Sequence, residues 1–351
     1  MRSASAISFA LASAALFGAS TPAAKLLLGA VHPTILAGLL YLGSGVGLAA
    51  VLAGRRLAGR PGTEAPIRLG DLPWLAGAVL FGGVAGPLLL MAGLSMSPAS
   101  TTALLLNLES VATMGLAWVV FRESADRRLL LGALAILSGA VLLSWSGGPV
   151  AGPQPGALLV VAACVAWGID NNLTRKMSGA DPLQIAAVKG LVAGAVSLGV
   201  GFSQGMPPPG AALVAAGALV GLLGYGVSLM CFIVALRHLG TARTGAYFST
   251  APFVGAVLSV ALLGDPITPW LALAAGMMAA GLWLHLTEDH RHLHLHEPVE
   301  HEHAHAHDDH HRHEHGPGDP PGEPHSHKHR HKPLAHSHPH YPDLHHRHRH
   351  G

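Results

Sequence analysis

The apolar residues of this chain are collected into ten blocks, each about as long as a helix that crosses a lipid bilayer. An α-helix needs about 20 consecutive apolar residues to span the hydrocarbon core. The pattern therefore predicts ten membrane-spanning helices, which we number as spans one to ten. They are placed at residues 5–28, 33–54, 73–95, 100–121, 129–145, 156–175, 182–203, 210–236, 242–263 and 268–286.

The composition agrees with a membrane protein and excludes an ordinary soluble domain. Only 11% of the residues are charged, whereas soluble domains contain about 25%. Most of the charges lie between the apolar blocks or after residue 287. Both cysteines, Cys164 and Cys231, fall inside apolar blocks. We therefore expect neither a disulfide framework nor a thiolate metal site.

The first block also has features of a secretory signal peptide. "MRSASAISFALASAALFGAS" combines a basic start, an apolar run and small residues. The apolar character continues through "TPAAKLLLGA", and many further spans follow. We therefore expect an uncleaved first helix, with a cleaved signal peptide as the alternative.

Basic residues are concentrated in alternate connections between the spans. These residues are Arg55, Arg56, Arg60 and Arg68, then Arg122, Arg127 and Arg128, then Arg175 and Lys176, and finally Arg237 and Arg243. Cytoplasmic connections carry the excess of Lys and Arg in membrane proteins. We therefore expect both termini in the cytoplasm and the chain in the inner (plasma) membrane of a bacterium.

Two halves of the chain show an internal repeat. "FGASTPAAK" at 17–25 aligns with "WGIDNNLTR" at 167–175, and residues 97–123 align with 239–265 in the same order. Spans one to five therefore correspond to spans six to ten. Because five is odd, the second copy is inverted relative to the first. Inverted repeats are typical of secondary transporters, which bind their substrate between the halves near the membrane midplane.

These motifs resemble the drug/metabolite transporter superfamily, and within it the ten-span EamA type. The resemblance covers residues 5 to 286 and includes the acidic ends of the fourth span of each half, Glu123 and Asp265. Asp265 departs from the more frequent Glu, and Ser110 stands where the second half has Pro252. The resemblance implies a membrane carrier for small solutes, frequently an exporter, but does not identify the substrate.

Span four contains a polar stripe in an apolar helix. Thr102, Glu109 and Thr113 are separated by seven and four residues, which places them on one helical face. Ionisable groups inside a membrane tend to face a partner or a water-filled path. We expect Glu109 to be a protonatable coupling group or to contact the substrate.

Three more ionisable residues lie inside the predicted spans. Lys25 is late in span one, and Asp170 and Lys189 are in the inner halves of spans six and seven. Their depths predict a pair between Lys25 and Glu109 toward the outside and a pair between Asp170 and Lys189 toward the inside. Two such pairs suit alternating access, or are static ion pairs between helices. Either lysine could instead meet an anionic group of the substrate.

Neutral polar residues complete the candidate substrate and coupling site. Asn171 shares a helical face with Trp167, Asp170 and Thr174. Three tyrosines are candidates for hydrogen-bonding walls of a central cavity or for packing: Tyr41, Tyr225 and Tyr247.

The last part of the chain is a histidine-rich tail. Of the 26 histidines, 23 follow residue 289, among acidic, basic and proline residues. Such a segment buries too little apolar surface to offset ordering entropy, so we expect disorder. Imidazoles beside carboxylates suit Zn²⁺, Ni²⁺, Co²⁺ or Cu²⁺. The candidate ligands are His301, His303, His305, His307, His310, His311, His313 and His315.

Together these features predict an all-α bundle of two inverted five-helix repeats, at residues 1–146 and 156–286, followed by a tail at 287–351. The expected function is export of a small organic solute by alternating access. The alternatives are a divalent-metal exporter supplied by the tail and a membrane-anchored metal sensor or buffer.

We find no phosphate-cradling, nucleophile-elbow or HExxH motif, so we expect no enzyme. The expected partners are lipid, a small molecule and metal ions at the tail. We expect no required cofactor and no nucleic acid, and a homodimer stays open.

Overall fold

A computed structural model describes the chain over the ranges 3–59, 65–121, 127–146, 152–177, 180–239, 241–286, 293–296, 300–305, 325–330 and 334–337. Within these ranges, ten helical stretches are long and apolar enough to cross a membrane. They coincide with the ten predicted spans, so the predicted all-α membrane bundle is confirmed. The bundle is built from the following helices.

Spans one to five consist of Ser3–Leu28, Pro33–Leu57, Leu72–Ala78 with Gly86–Met96, Ala99–Leu105 with Leu108–Phe121, and Arg127–Ser144. Spans six to ten consist of Pro155–Arg175, Pro182–Ser203, Ala211–Gly221 with Ser228–Leu239, Thr241–Phe248 with Ala251–Leu263, and Pro269–Leu286. A short 3₁₀ turn, Leu69–Asp71, precedes span three, and the two-residue strands Trp145–Ser146 and Gly152–Pro153 pair between the halves.

Spans three, four, eight and nine are interrupted at corresponding points of the two halves. π-helical segments, Val79–Ala85 and Leu222–Val227, divide spans three and eight. Non-helical turns at 106–107 and 249–250 divide spans four and nine. Irregular backbone at membrane depth is tolerated where it is buried in protein or lines a cavity. We therefore expect the interruptions to lie where these four spans are buried in the bundle or line a cavity.

The spans pack according to a two-fold relation between the halves. Span two packs on span seven, and span five packs on span ten. Span one packs on spans eight and nine of the other half, just as span six packs on spans three and four. Each half therefore covers the first helix of the other, which confirms the inverted repeat.

Glycines permit the close approach of spans two and seven. A Cβ added at Gly190 would lie 2.7 Å from the Gly45 Cα, and one added at Gly45 would lie 2.6 Å from the Gly190 carbonyl carbon. Small residues allow such backbone contact in lipid, where burial of apolar surface does not drive helices together.

Gly45→Ala should therefore lower the free energy of unfolding by roughly 1–3 kcal/mol, because the added methyl overpacks this contact. Gly54 lies on the same helix, and a Cβ there would have nothing within 4 Å. Gly54→Ala should be neutral or stabilising by about 0.5–1 kcal/mol, since alanine favours the helix. Thermal unfolding of both variants in detergent compares them, and equal melting temperatures would contradict the close contact.

The described part of the tail forms two antiparallel strand pairs. Leu293–His296 pairs with Leu334–Ser337, and Glu300–His305 pairs with His325–Arg330. The rest of the tail, for which the sequence predicts disorder, lies outside the described residues. The predicted ligands His301, His303 and His305 fall in the strand Glu300–His305. The other predicted ligands lie outside the described residues: His307, His310, His311, His313 and His315.

Candidate functional site

A cavity of about 570 Å³ lies between the two halves of the bundle. It extends from Asn107 and Glu109, in the middle of span four, to the arginine-bearing ends of the spans. Trp118, Arg175 and His285 line it at those ends. Small-molecule sites typically occupy about 300–1,000 Å³. The cavity is therefore large enough for a metabolite-sized solute.

Glu109 and Asn171 form the polar wall of this cavity. Asn171 Nδ2 donates to Glu109 Oε1 at 3.0 Å and to Thr113 Oγ1 at 3.1 Å. The Thr113 hydroxyl donates in turn to the Glu109 carbonyl at 2.8 Å. Glu109 lies in the first turn of the helix Leu108–Phe121, just after the interruption of span four. The turn therefore gives the carboxylate a defined position next to span six.

Close packing of span six on span four brings these groups together. A Cβ added at Gly168 would lie 3.0 Å from the Ala112 carbonyl carbon and from Thr113 N. One turn further along span six, Asn172 Nδ2 donates to the Thr113 carbonyl at 3.0 Å and to the Gly168 carbonyl at 2.9 Å. Glycine at 168 thus allows the contact, and Asn172 holds it.

Aromatic side chains form the opposite wall. Phe17 and Phe248 line the cavity, with ring centroids 5.4 Å apart. Behind them, the Tyr225 ring lies 5.8 Å from Phe17 and 5.6 Å from Tyr41. Tyr41 and Tyr225 therefore pack behind the cavity wall, which is one of the two roles that the sequence left open for them. Tyr247 precedes Phe248 and is also absent from the lining; its carbonyl accepts from the Thr250 hydroxyl at 2.7 Å.

A second polar cluster lies beside the cavity, between spans three, six and seven. Lys189 Nζ donates to Asp170 Oδ2, so the predicted pair between these residues is present. Thr174 Oγ1 donates to Asp170 Oδ1 at 3.1 Å. The carboxylate abuts Gly82, where an added Cβ would overlap it. The glycine of the π-helical segment thus makes room for the ion pair.

The Gly82 carbonyl accepts two side-chain hydrogen bonds from the other side of the same segment. Tyr41 Oη donates to it at 2.8 Å and Trp167 Nε1 donates at 2.9 Å. Asp170 and Asn171 are adjacent in sequence yet serve different sites, because successive helical residues are about 100° apart. The two residues are the two edges of the helical face that Trp167, Asp170, Asn171 and Thr174 share, as their spacing predicts.

Breaking the Asp170–Lys189 pair should destabilise the protein strongly. Asp170 is 5% and Lys189 is 18% exposed at the side chain, so Asp170→Asn leaves a buried ammonium without its counter-charge. We expect a loss of about 3–5 kcal/mol in the free energy of unfolding. The double variant Asp170→Leu with Lys189→Met should recover most of this loss, because it buries no charge. Thermal unfolding in detergent measures both, and a single variant as stable as the parent would contradict the pair's structural role.

Lys25 lies at the opposite end of the bundle from the cavity mouth. Its Nζ donates to the Leu94 carbonyl at 2.5 Å and to the Ser97 carbonyl at 2.8 Å. Among the described acidic residues, Asp265 is close enough to act on Lys25 electrostatically, and its Oδ2 accepts from Ser100 N at 2.8 Å. The predicted pair of Lys25 with Glu109 is therefore wrong, because Glu109 is held by Asn171 at the cavity.

The remaining prediction in span four concerns Thr102. It is fully buried, and its hydroxyl has no hydrogen-bond partner among the described residues. The turn at 106–107 separates it from Glu109 and interrupts the helical phase on which the predicted stripe depended. Glu109 and Thr113 thus share the site, and Thr102 lies outside the cavity lining.

The cavity also contains residues that the sequence reasoning did not select. Arg175, Trp118 and Phe248 line it, as does His285, whose Nε2 donates to the Leu129 carbonyl at 3.0 Å. Arg175 aligns with Lys25 in the internal repeat. The repeat could therefore have marked Arg175 as a functional position, whereas the others required the packing of the spans to be known.

Comparison with known proteins agrees with this architecture. A protein from Methanothermobacter thermautotrophicus called an uncharacterized transporter is 28% identical over 285 residues, covering 76% of this chain and 82% of the relative. An uncharacterized protein from Pseudomonas aeruginosa is 34% identical over 193 residues, covering 54% of this chain and 65% of the relative.

A solved crystal structure has the same fold, with a TM-score of 0.58 and 21% identity over 80% of this chain and 95% of that one. The family model described as the EamA-like transporter family matches residues 4–145 and 154–287, which are the two halves of the bundle. The chain is an integral membrane protein and belongs to the EamA-like transporter family, whose members are membrane transporters of small solutes.

Proposed function

We propose that this protein exports a small organic solute by alternating access, with the cavity at Glu109 as its binding site. The observation that carries the proposal is the cavity between the two inverted halves, which continues to the arginine-bearing ends of the spans. Secondary transporters of inverted-repeat architecture bind their substrates at such an interface near the midplane. The arginine-bearing side is the cytoplasmic side by the positive-inside rule, so the cavity is loaded from the cytoplasm.

The far end of the bundle provides the closed gate that alternating access requires. Lys25 joins span one to the end of span three through the Leu94 and Ser97 carbonyls. Asp265 joins the connection after span nine to the start of span four. In the internal repeat, Lys25 corresponds to Arg175 and Asp265 to Glu123. We expect the opposite state to release the Lys25 gate and to close the other mouth through Arg175.

The cavity walls define the chemistry of the solute. Glu109 and Asn171 offer acceptors and a donor on one side, and Phe17 and Phe248 offer an apolar surface on the other. A solute that fits both walls combines an amine or other donor group with an apolar portion. Amphipathic amines of metabolite size, including amino acids and aromatic drug-like cations, have this combination.

Glu109 is the proposed coupling group. An ionisable side chain within a membrane transporter marks the path of substrate or protons. Its carboxylate accepts from Asn171, and the nearby charges of Asp170 and Lys189 also act on it electrostatically. A proton and a cationic solute would therefore compete for one carboxylate, which couples their movements in opposite directions.

Release from proteoliposomes tests the proposal while the identity of the solute is still open. Vesicles containing the full chain are loaded with a mixture of amino acids, nucleosides, sugars and aromatic amines, and the retained solutes are quantified by mass spectrometry. The expected result is selective loss of one amine-bearing class, saturable with its concentration. Retention of every class, as in protein-free vesicles, would contradict the proposal.

The histidine-rich tail favours a second candidate, a divalent-metal exporter. Against it, the described residues contain no group of three or more His, Cys, Asp or Glu side chains that could hold a metal ion. We therefore propose that the tail binds Zn²⁺, Ni²⁺, Co²⁺ or Cu²⁺ as a buffer or regulator. Comparing Zn²⁺ flux by the full chain and by a chain ending at Thr287 separates the candidates. Saturable flux that weakens on truncation would make metal the substrate.

A further inference from the structure

A second cavity, of about 390 Å³, lies at the far end of the bundle, where the Lys25 gate is. Its walls come from the start of span four, the end of span five, the start of span six, and the start of span ten with the connection before it. This end faces the outside by the positive-inside rule, so we call the cavity the outer pocket. Six of its lining residues determine its shape and chemistry: Ser100, Thr101, Trp145, Gln154, Pro266 and Trp270.

The outer pocket combines aromatic rings with uncharged polar groups. Trp145 and Trp270 are 54% and 63% exposed, and the partly exposed Thr101 and Gln154 contribute a hydroxyl and an amide. A cation is attracted to the face of a tryptophan ring, and a ligand ring stacks on it. An anion would meet no counter-charge, since no described residue that lines the pocket is charged. The pocket therefore fits a small aromatic amine.

Hydrogen bonds fix the backbone that carries the two tryptophans of the outer pocket. Gln154 N donates to the Ser144 carbonyl at 2.7 Å, which joins the start of span six to the end of span five. Leu271 N donates to Thr268 Oγ1 at 3.1 Å, which caps the start of span ten. Each tryptophan therefore lies next to a backbone contact that does not involve the gate.

The remaining wall of the outer pocket belongs to the closed gate. Ser100 N donates to Asp265 Oδ2 at 2.8 Å, which holds the start of span four against the connection after span nine. Ser100 and Pro266 both line the pocket, so this bond joins two of its walls. Opening of the far end separates these two segments and takes the pocket apart. A ligand shifts an equilibrium toward the state that it binds better, so an occupant of this pocket favours the closed gate.

We propose that the outer pocket binds a small aromatic amine from the outside and thereby keeps the gate closed. The occupant inhibits export without entering the cavity at Glu109. This effect on export rests on the proposed function, whereas the binding itself requires no transport. The proposal assigns a binding role to Trp145 and Trp270, neither of which lines the cavity at Glu109.

Protection of a cysteine in the outer pocket tests the binding. Thr101→Cys is made in the full chain with Cys164 and Cys231 replaced by alanine, and intact cells are treated with an impermeant maleimide. Tryptamine, which combines an indole ring with an ammonium group, is the probe ligand. We expect tryptamine to slow the labelling of Thr101→Cys saturably. Ser203→Cys, at the exposed outer end of span seven, is the control and should label equally with and without tryptamine.

Substitution of Trp270 tests the aromatic wall in the same assay. Trp270→Leu should raise the tryptamine concentration for half-maximal protection by about threefold or more, because it removes a ring contact. Trp270→Phe keeps a ring and should stay within about twofold of the parent. Trp74→Leu is the matched control, since Trp74 is 41% exposed but lies at the cytoplasmic start of span three. It should leave the protection unchanged.

Labelling inside the bundle tests the effect of the ligand on the gate. Ser110 is exposed in the cavity at Glu109, so maleimide from the outside reaches Ser110→Cys only when the far end opens. Lys25→Ala is added to raise the open population. Tryptamine should slow this labelling, and Trp270→Leu should weaken that effect. Glu109→Gln, which removes the carboxylate that would bind an amine in the central cavity, should leave the effect of tryptamine in place.

Three outcomes would overturn the inference, and a fourth would overturn only the proposed function. Equal labelling of Thr101→Cys with and without tryptamine would exclude the binding site. Protection of Thr101→Cys that is lost in Glu109→Gln would show that tryptamine acts from the central cavity. Protection of Thr101→Cys without slower labelling of Ser110→Cys would exclude an effect on the gate. If the outside reagent labels Ser110→Cys in no variant, alternating access fails, while protection of Thr101→Cys still establishes the binding site.

Discussion

Glu109→Gln should abolish accumulation driven by a pH gradient. The substitution keeps the size of the side chain and its acceptor toward Asn171, but removes the charge that a proton and a cationic solute would share. We expect accumulation of the solute identified in the release assay to fall by about tenfold or more, because intramembrane carboxylates of transporters form the coupling path. The measurement is initial uptake into inside-out vesicles with and without an imposed pH gradient.

Asp71→Asn is the matched control for this variant. Asp71 accepts a hydrogen bond from Arg68 N in an exposed turn before span three, away from the cavity. The Asp71→Asn protein loses one negative charge, as Glu109→Gln does, and should transport at the parental rate. A Glu109→Gln protein that still responds to the pH gradient would contradict the coupling role, although solute binding in the cavity could persist.

Lys25→Ala should open the far end of the bundle. The ammonium makes two hydrogen bonds to backbone carbonyls at the end of span three. Hydrogen bonds from a charged group contribute about 1.5–3 kcal/mol each, and about 1.4 kcal/mol is a tenfold change in an equilibrium. We therefore expect the population open on that side to rise by about tenfold or more.

A single cysteine at Ser110 reports this opening, in a protein whose Cys164 and Cys231 are replaced by alanine. Ser110 is exposed in the cavity wall. A membrane-impermeant maleimide applied from the far side should label Ser110→Cys faster when Lys25→Ala is present. Lys25→Arg keeps the donors and should label at the parental rate. Unchanged labelling in Lys25→Ala would show that this lysine does not hold the gate.

The fold was predictable because the bilayer constrains it strongly. Each apolar block must satisfy its backbone within one helix, so length and hydrophobicity locate the spans. The inverted repeat followed from the two copies of one sequence pattern. The Asp170–Lys189 pair was predictable for a similar reason, since both residues lie at matching depths on spans joined by a short connection.

The positions of the site residues depend on where the helices are interrupted and how the spans pack, and spacing along one helix predicts neither. Thr102 and Glu109 are seven residues apart, yet the turn at 106–107 places them in different environments. Lys25 was paired with Glu109 from depth alone, whereas backbone carbonyls at the end of span three are its actual partners. His285 and Phe248 enter the cavity because spans nine and ten pack around it, which the sequence of either span does not reveal.

Alternating access requires that one cavity be reached from both sides of the membrane. Labelling of Ser110→Cys by an impermeant maleimide in intact cells and in inside-out vesicles measures this access. We expect labelling from the cytoplasmic side, slower labelling from the outside, and protection on both sides by the transported solute. Labelling from one side only, unchanged by that solute and by Lys25→Ala, would contradict alternating access through this cavity.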